Sequence, residues 1–424
     1  MTYPETLAHI YSLARFGIKP GLDRINALLE NVGNPHQGLR SVHIAGTNGK
    51  GSTAAFLSEI VAAGGYRVGL FTSPHLIHFT ERMRINGVEI PEENVVSLLE
   101  KVMRGAPAAA TFFEIVTAMA LLWFAEEKVD LVVLEAGMGG RQDATGAVSG
   151  FLSVVTPISL DHCEYLGNSI AAIAAEKAGV AKQGTPIVVS PQVPEVLEAM
   201  LRCSVKQNNT LYLSGRDFSI AWDDGGLSYR GLDRTLAGMI PGIPGRYQAA
   251  NAASALCAAE LLAKSGFTLD DSALVKGIET ARWPGRMELF GGSPRILLDG
   301  AHNTAGAAAL AEALPEIPRS RLILVFGVMG DKDAAGILAR LQPLADMIVA
   351  VTPGIAKALP SSELVHLCRS HGVECFDAGT VAEGLELARM KAEPDDLVLV
   401  CGSLYLVGEA RALLLSERFE PVRG

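Results

Sequence analysis

The stretch Ser41-Val42-His43-Ile44-Ala45-Gly46-Thr47-Asn48-Gly49-Lys50-Gly51-Ser52-Thr53 decides the fold of this chain. Its apolar beginning, 42–45, is typical of a buried strand, and the residues after Thr53 are typical of a helix. Strand, glycine-rich loop and helix start predict a phosphate site, because loop amides and a helix N-terminus both attract anions. Lys50 would supply a charge for the outer phosphates, and Ser52 or Thr53 a hydroxyl for Mg²⁺.

The spacing of this loop differs from the common phosphate-loop pattern. That pattern has four residues between its first glycine and the Gly-Lys pair, whereas here the interval after Gly46 is shorter. Gly51 also stands between Lys50 and the first hydroxyl. The alternative interpretation is a glycine-rich turn that only caps a helix through Ser52. The rest of the chain favours phosphate binding.

The composition is typical of a globular protein with large cores, because 49% of the residues are hydrophobic and 19% are charged. A chain of 424 residues has room for two or three domains of about 150 residues each. The formal net charge of −10 argues against a nucleic acid or an acidic membrane as partner, since both require a basic face. Small anionic substrates are still allowed, because local charge decides their binding.

Cysteine usage and apolar runs bear on the cellular compartment. The six cysteines form no C-x-x-C pair, which favours buried, reduced thiols over metal knuckles or redox motifs. The first residues lack the features of a signal peptide, and the longest apolar run, 115–125, is too short to span a bilayer. We therefore expect a soluble, cytoplasmic protein without a membrane partner, and we expect a monomer.

Strand-like and helical segments alternate after the phosphate loop. Apolar runs typical of buried strands occupy 67–72, 129–135, 151–156 and 186–190, and helical segments such as 114–125 and 173–179 lie between them. This order predicts a parallel, doubly wound sheet. Residues 203–245 differ in character, and the strand-like pieces at 210–214 and 218–222 predict a small antiparallel insertion.

The segment Trp283-Pro284-Gly285-Arg286 is typical of a hinge, since proline and glycine fix a bend that the tryptophan can anchor. A second alternation begins after it. Strand-like runs occupy 295–299, 321–326, 347–351 and 397–401, and helical segments occupy 305–314, 333–341, 361–370 and 381–392. The sequence therefore predicts two domains, 1–285 and 286–424, of which the second has its own Rossmann-like parallel sheet.

Some polar residues directly follow predicted strands, where ligands gather in open α/β sheets. Glu135 ends one apolar run and precedes a glycine-rich loop, so we interpret it as a Mg²⁺ ligand rather than a solvent-facing strand end. Ser73-Pro74-His75 follow another run. The charged segment 81–87 is either a solvated turn around Asn86-Gly87 or a basic edge for an anionic substrate, and charge alone favours the turn.

Motifs along the chain resemble those of one known family. They are the phosphate loop 46–52, the segment 134–145, Glu176-Lys177-Ala178-Gly179, Trp283-Pro284-Gly285-Arg286-Met287-Glu288, Asp299-Gly300-Ala301-His302-Asn303 and Gly402-Ser403-Leu404-Tyr405-Leu406. Their content and order resemble the folylpolyglutamate synthase/dihydrofolate synthase family, which belongs to the Mur ligase superfamily of ATP-dependent amide-forming enzymes. The resemblance covers nearly the whole chain.

The resemblance implies an ATP-dependent ligase. A folate or dihydropteroate carboxylate attacks the γ-phosphate of ATP and becomes an acyl phosphate, from which the amine of L-glutamate displaces phosphate to form an amide. Such chemistry requires neutralised phosphate charge, reactants held in line and excluded water. We expect a bifunctional enzyme with small-molecule partners alone, although the sequence does not separate dihydrofolate synthesis from extension of folate tails.

The resemblance also implies roles for individual residues. The implied ATP contacts are Thr47, Asn48, Gly49, Lys50, Gly51, Ser52, Asn251, Arg286 and Asp299. The implied Mg²⁺ ligands are Ser52, Glu135 and His162. Without the resemblance, His162 would be interpreted as an ordinary buried or surface histidine. The implied folate and glutamate contacts are Ser73, Pro74, His75, Thr111, Phe112, Phe113 and Ser403. Without the resemblance, Phe112 and Phe113 would be core residues; with it, they pack on a flat ring.

Lys50, Lys177 and His302 are the catalytic residues that the resemblance implies. Without the resemblance, Lys177 would be interpreted as a lysine on the surface of a helix. In the family the equivalent lysine is often carbamylated, which gives an anionic group that supports a second Mg²⁺. A potassium ion is a further cofactor that the resemblance leaves open.

The chain departs from the family at Gly146, where Asn is usual, at Tyr247, where His is common, and at Lys357, where Arg is usual. These departures concern local contacts rather than the reaction class. One alternative is a cell-wall amino-acid ligase of the same superfamily, which would usually have Thr in place of Gly51 and a nucleotide-sugar domain before residue 41. Another is a phosphate-loop regulator without turnover, which leaves the motif 299–303 unexplained.

Overall fold

The computed structural model describes residues 1–13, 17, 19–107, 109–161, 167, 169–368 and 372–420. Its strands form three sheets, two large and one small. Mixed α/β architecture with a parallel-dominated first sheet confirms the predicted fold class.

The first sheet has eight strands in the order β4-β3-β2-β5-β1-β6-β7-β8. They are β1 (Ser41–Ala45), β2 (Val68–Phe71), β3 (Met83–Ile85), β4 (Val88–Glu89), β5 (Leu131–Glu135), β6 (Leu152–Val155), β7 (Ile187–Val189) and β8 (Leu211–Leu213). Neighbours from β2 to β8 pair in parallel, whereas β3 and β4 form an antiparallel edge. Ile44 in β1 lies opposite Glu135 in β5, so the phosphate loop and Glu135 leave the same edge of the sheet.

The central strands are apolar along their whole length because helices cover both faces of the sheet. All five residues of β1 are buried, and so are all five of β5. One core, which includes Ile44, Phe56 and Leu256, lies on one face. A second core, which includes Leu134 and Phe124, lies on the other.

The prediction for residues 203–245 was partly wrong. Residues up to Gln207 still belong to a helix, and Leu211–Leu213 joins the first sheet as its parallel edge strand. The insertion is shorter and consists of β9 (Ser219–Asp223), β10 (Gly226–Arg230) and β11 (Thr235–Met239), which are antiparallel. The strand Leu211–Leu213 pairs with the preceding strand, Ile187–Val189, and the helix Pro194–Gln207 makes the crossover between them. The sequence analysis did not predict this helix and therefore missed the parallel pairing.

The second sheet has six strands in the order β12-β13-β17-β14-β15-β16. They are β12 (Glu288–Phe290), β13 (Arg295–Leu298), β14 (Leu322–Phe326), β15 (Met347–Thr352), β16 (Glu374–Thr380) and β17 (Leu397–Cys401). Only β12 is antiparallel to its neighbour. The sequence analysis missed β12 and β16, because both lie at sheet edges and neither has a continuous buried apolar run.

Helices pack against the sheets. In chain order they are α1 (Tyr3–Ser12), α2 (Asp23–Asn31), α3 (Lys50–Ala63), α4 (Glu92–Met103), α5 (Phe112–Glu126), α6 (Ile170–Ala178), α7 (Pro194–Gln207), α8 (Gln248–Lys264), α9 (Asp271–Thr280), α10 (Thr304–Ala313), α11 (Ala334–Leu341), α12 (Ser361–Cys368), α13 (Val381–Lys391) and α14 (Leu404–Leu415). The last of these is a helix that the sequence analysis did not predict. Among the described residues, none of these helices combines the length and apolarity that crossing a bilayer requires.

Candidate active site

The phosphate loop is shaped by glycines whose missing side chains leave room for close neighbours. Gly46 and Gly49 have φ angles of 146° and 85°, which favour glycine. A Cβ on Gly46 would lie 1.9 Å from Oγ1 of Thr156, and a Cβ on Gly49 would lie 2.2 Å from Oδ1 of Asn251. The backbone can therefore curl tightly between β1 and α3, with the N-terminus of α3 at its end.

A pocket of about 310 Å³ opens beside this loop. Residues from both halves of the chain line it, and most of the predicted ATP and metal residues are among them: Thr47, Asn48, Gly49, Lys50, Gly51, Ser52, Glu135, Lys177, Asn251, Arg286, Asp299 and His302. The pocket lies at the carboxyl edge of the first sheet, which is the usual ligand edge of an open parallel sheet. We call it the nucleotide pocket.

Glu135 is the buried carboxylate of the nucleotide pocket. It is 5% exposed, and Oε2 accepts a hydrogen bond of 3.1 Å from the backbone N–H of Ser73. Burial raises the pKa of Glu135, while Lys50, the Ser73 N–H and Arg286 act in the opposite direction. A carboxylate that burial penalises in this way, in a pocket that Ser52 also lines, fits a divalent cation.

Lys50 and Lys177 are the two lysines of the pocket. Nζ of Lys50 donates to the carbonyl of Thr47 at 3.1 Å, and Nζ of Lys177 donates to the carbonyl of Gly46 at 2.6 Å. Lys177 is only 4% exposed, so the surface position that its sequence alone indicates is wrong. Burial, with the charge of Lys50 as a second cause, lowers the pKa of Lys177 to about 7.

The second domain contributes Asp299, which is held by three donors. Oδ2 accepts from the hydroxyl of Tyr247 at 2.8 Å and from the N–H of Met287 at 3.0 Å, and Oδ1 accepts from the N–H of Ala301 at 2.9 Å. Tyr247 directly precedes α8 of the first domain, so this bond joins the domains. Tyr247, which stands where the family commonly has His, thus supplies a neutral hydroxyl donor, since burial and Asp299 raise the pKa of Tyr247.

Arg286 lies across Gly300, where a Cβ would come within 2.0 Å of its Nη1. The guanidinium also donates to the carbonyl of Gly285 at 3.0 Å. The motif Asp299-Gly300-Ala301 therefore needs its glycine to seat Arg286 on the pocket wall.

His302 lies at the mouth of the pocket. Nδ1 is 2.8 Å from the carbonyl of Gly300, which makes it the protonated nitrogen, and Nε2 is 4.0 Å from a carboxylate oxygen of Asp161. Partial burial lowers the pKa of His302 to about 4, so it is neutral at pH 7. Asp161 accepts from Nζ of Lys332 at 2.6 Å, which forms an ion pair between the domains that the sequence analysis missed.

Ser403 is placed differently from the other predicted site residues. It is 1% exposed and caps α14, where its hydroxyl accepts from the N–H of Tyr405 at 3.2 Å. Its neighbour Leu404, rather than Ser403 itself, lines the nucleotide pocket.

A second cavity, of about 630 Å³, adjoins the nucleotide pocket. The two share Ser73, Pro74 and Gly137 as lining residues. Of the predicted folate contacts, Thr111 and Phe113 also line this second cavity. We call it the substrate cavity.

Two predicted folate contacts lie elsewhere. The ring of Phe112 stacks on Tyr11, with centroids 6.0 Å apart, and belongs to a core. His75 is 3% exposed and uses both ring nitrogens for protein contacts, with Glu420 and with Arg82.

Arg82 is a wall residue of the substrate cavity that the sequence analysis did not single out. It is 2% exposed, and its guanidinium lies over the ring of Phe112 at 5.2 Å. The favoured interpretation of segment 81–87 as a solvated turn was right for the exposed tip Asn86-Gly87 and wrong for Arg82. Tyr405 of the second domain also lines the cavity.

His162, the third predicted metal ligand, lies outside the described residues. Among the residues that are described, no three His, Cys, Asp or Glu side chains cluster as a metal site would. Ser52 and Glu135 are therefore the described part of the predicted metal site.

Comparison with known proteins places this geometry in a family. Residues 44–259 match the Mur ligase middle domain, and residues 285–404 match the Mur ligase glutamate ligase domain. These matches define the class of protein, that of the Mur ligases.

Individual relatives are similar over almost the whole chain. The dihydrofolate synthase/folylpolyglutamate synthase of Bacillus subtilis is 35% identical, over 97% of this chain and 99% of the relative. The structure of Escherichia coli FolC in complex with DHPP and ADP matches with a TM-score of 0.91 and 31% identity, over 98% of each chain. A bifunctional folylpolyglutamate synthase/dihydrofolate synthase with Mn, AMPPNP and L-glutamate bound matches with a TM-score of 0.87 and 31% identity, over 98% of this chain and 99% of that one.

The chain belongs to the dihydrofolate synthase/folylpolyglutamate synthase family of Mur ligases. It is accordingly an ATP-dependent ligase, which confirms the predicted enzyme class.

Proposed function

We propose that this protein joins the carboxylate of dihydropteroate or of a folate to the amine of L-glutamate, with ATP as the energy source and an acyl phosphate as intermediate. The observation that carries this proposal is the shared wall of the two cavities. Ser73, Pro74 and Gly137 line both, so a carboxylate that reaches out of the substrate cavity meets the phosphate end of the nucleotide pocket.

The phosphate loop and Lys50 would hold the β- and γ-phosphates of ATP. Lys50 neutralises charge that builds up as the substrate carboxylate attacks, and the amides at the N-terminus of α3 act in the same direction. Asn251, Arg286 and Asp299 line the same pocket and would hold the rest of the nucleotide.

Ser52 and Glu135, together with His162, would hold a divalent cation. When bound, the cation neutralises phosphate charge and aligns the transferred group. Solved relatives that bind an ATP analogue with Mn support a divalent metal in the family.

The substrate cavity would take the pterin and aminobenzoate rings. Phe113 offers an aromatic face on its wall, and Arg82 offers a cation for an anionic substrate. Ser73 and Pro74 would lie beside the reacting carboxylate, with Thr111 further along the same cavity.

Glutamate would enter from the second domain, near His302. A neutral His302 can accept a proton through Nε2 as the amine attacks the acyl phosphate, since Nδ1 faces the Gly300 carbonyl. The amine must arrive as water leaves, because an acyl phosphate hydrolyses in an open cleft.

Lys177 is the residue that we propose to carry a carbamate. Carbamate formation requires a neutral amine, and burial, which lowers the pKa of Lys177 to about 7, makes the neutral amine far more common near pH 7 than in an exposed lysine. The resulting anion would lie beside the phosphate loop and support a second Mg²⁺. A potassium ion, a monomeric state and a cytoplasmic location complete the proposal.

Turnover with dihydropteroate and with tetrahydrofolate, measured side by side, tests this proposal. We expect amide formation with both substrates, and phosphate release only when both glutamate and a pteroate substrate are present. Phosphate release that needs neither would support a phosphate-loop regulator. Turnover with a nucleotide-sugar acceptor alone would support a cell-wall ligase.

A further inference from the structure

The chain segment after α14 crosses from the second domain to the first and fastens to the loop that follows β2. Its anchor is Glu420. The backbone N–H of Glu420 donates to the carbonyl of Ile77 at 3.0 Å, and Oε2 accepts from the N–H of Phe79 at 2.9 Å and from the hydroxyl of Tyr3 at 3.2 Å. We call residues 416–420 the tail strap.

The tail strap also reaches His75. The carbonyl oxygen of Glu420 lies 3.0 Å from Nε2 of His75. A carbonyl only accepts, so Nε2 carries the ring proton and Nδ1 keeps its lone pair. Burial, with Arg82 as a second cause, lowers the pKa of His75 well below its usual range, which keeps the ring neutral.

Nδ1 of His75 is the hydrogen-bond acceptor of Arg82. Nε of Arg82 donates to it at 2.8 Å. Among the described residues, the structure gives the terminal nitrogens of Arg82 no hydrogen-bond acceptor, and the side chain lines the substrate cavity. One side of the guanidinium is thus fixed by His75, and the side chain lines the substrate cavity, where it can attract an anionic substrate.

We propose that Glu420 and His75 are positioning residues for the substrate cavity: Glu420 fixes the tautomer of His75, and His75 holds the guanidinium of Arg82 on the cavity wall. This inference rests on the proposed function, because it assumes that the pteroate substrate occupies the substrate cavity. It explains why His75 does not line that cavity although it follows a ligand-binding strand end.

The helix that precedes the tail strap packs closely against the same loop. A Cβ on Gly408 of α14 would lie 2.1 Å from the carbonyl oxygen of Leu76, so the last helix touches the loop directly beside His75. Nε2 of His78 lies 3.3 Å from a carboxylate oxygen of Glu417, and the two side chains are 34% and 42% exposed. Glu417 contacts the same loop without connection to Arg82 and therefore offers a matched control.

Steady-state kinetics of four variants test the relay. His75→Phe keeps an aromatic ring and removes both nitrogens. Glu420→Ala keeps the backbone contacts of Glu420 with Ile77 and His75 and removes the carboxylate that accepts from Phe79 and Tyr3, so the carbonyl that faces His75 is held less firmly. We expect the KM for tetrahydrofolate to rise about tenfold in the first and about fivefold in the second, with the KM for ATP and for glutamate within twofold of wild type. Glu417→Ala should match wild type.

The double variant separates a relay from general loosening. If Glu420 acts through His75, His75→Phe/Glu420→Ala has the KM of His75→Phe alone. Effects that multiply, or an unchanged tetrahydrofolate KM in both single variants, overturn the inference. Equal rises in all three KM values also overturn it.

The failure of this inference differs from the failure of the proposed function. Wild-type protein without any ligase turnover contradicts the function, whereas normal turnover with unaffected variants contradicts only the relay. Glu420 lies beyond the last helix and outside both sheets, so Glu420→Ala should keep the fold. A rise of its tetrahydrofolate KM alone supports the relay, and an unchanged KM contradicts it, even where His75→Phe does not fold.

Discussion

The side-chain amides of Asn48 and Asn303 exchange two hydrogen bonds, of 3.1 Å and 2.9 Å. Asn48 belongs to the phosphate loop, and Asn303 caps α10 in the second domain, where its Oδ1 also accepts from the N–H of Gly306 at 2.8 Å. The phosphate loop is thus in direct contact with the domain that supplies Asp299 and His302.

We expect Asn48→Ala to lower kcat/KM for ATP about tenfold, because each lost hydrogen bond contributes about 0.5–1.5 kcal/mol. Initial rates at varied ATP concentration measure this. Asn303→Ser keeps an oxygen that can cap α10 but is too short to pair with Asn48, so it should show the same loss. A loss in Asn303→Ser with unaltered Asn48→Ala would show that the effect does not come from the Asn48–Asn303 pair.

The two domains should close on each other during the reaction, with Trp283-Pro284-Gly285-Arg286 as the hinge. Ligands favour closure only by binding the closed state better, and the proposed ATP contacts, which come from both domains, would meet that condition. Small-angle scattering should show a smaller radius of gyration with an ATP analogue and tetrahydrofolate than without ligands. No compaction in an active preparation would make 283–286 a rigid linker.

Lys50→Ala should abolish turnover, with a loss of at least about a hundredfold in kcat, because phosphate charge is left unmatched in the loop. The fold should persist, since among the described residues the side chain makes one hydrogen bond, to the carbonyl of Thr47. Circular dichroism and a thermal melt provide the control for folding. Activity near wild type in the folded variant would contradict the phosphate-loop role.

Glu135→Gln should raise the Mg²⁺ concentration for half-maximal activity about tenfold or more, since an amide is a weaker ligand than a carboxylate. The new amide oxygen can still accept from the N–H of Ser73, so the local fold is retained. Glu260→Gln is the matched control: Glu260 is also buried, but it binds Tyr229 in the insertion. Superimposable Mg²⁺ titrations of Glu135→Gln and wild type would remove Glu135 from the metal site.

The carbamate on Lys177 should increase with pH. Below pH 7 the amine is protonated and cannot attack CO₂, and above pH 7 it is neutral, because its pKa in the folded protein is about 7. Carbon-13 NMR with labelled bicarbonate should show a carbamate signal that grows from pH 6 to pH 8. The signal should be missing from Lys177→Ala; its persistence there, or its absence from wild type at pH 8, would contradict the proposal.

Local pattern was enough to predict the phosphate loop, Glu135 and most parallel strands. Each of these is a short contiguous run whose chemistry and burial follow from neighbouring residues. Glu135 is an example, since an apolar strand followed by glycines places a carboxylate at the ligand edge whatever the rest of the chain does.

Long-range partners set the limit of the prediction. Arg82 is buried because His75 and the rings of Phe79 and Phe112 surround it. The charge density along 81–87 does not indicate these three neighbours. The sequence around Lys177 is typical of an exposed position on a helix. Its amine is buried only because α6 packs against the phosphate loop. The Lys332–Asp161 ion pair spans the domains and has no local signal at all.

Gly51 and Trp283 are more than two hundred positions apart in the chain, yet a Cβ on Gly51 would lie 2.7 Å from the indole nitrogen of Trp283. The phosphate loop and the segment 283–286 are therefore sterically coupled, so that residues 51 and 283 must change together. A threonine at position 51, as the cell-wall ligases usually have, would overlap the indole, so that exchange requires a smaller residue at 283 in the same step. A chimera with a crossover between these two positions would combine a loop and a hinge that do not fit together.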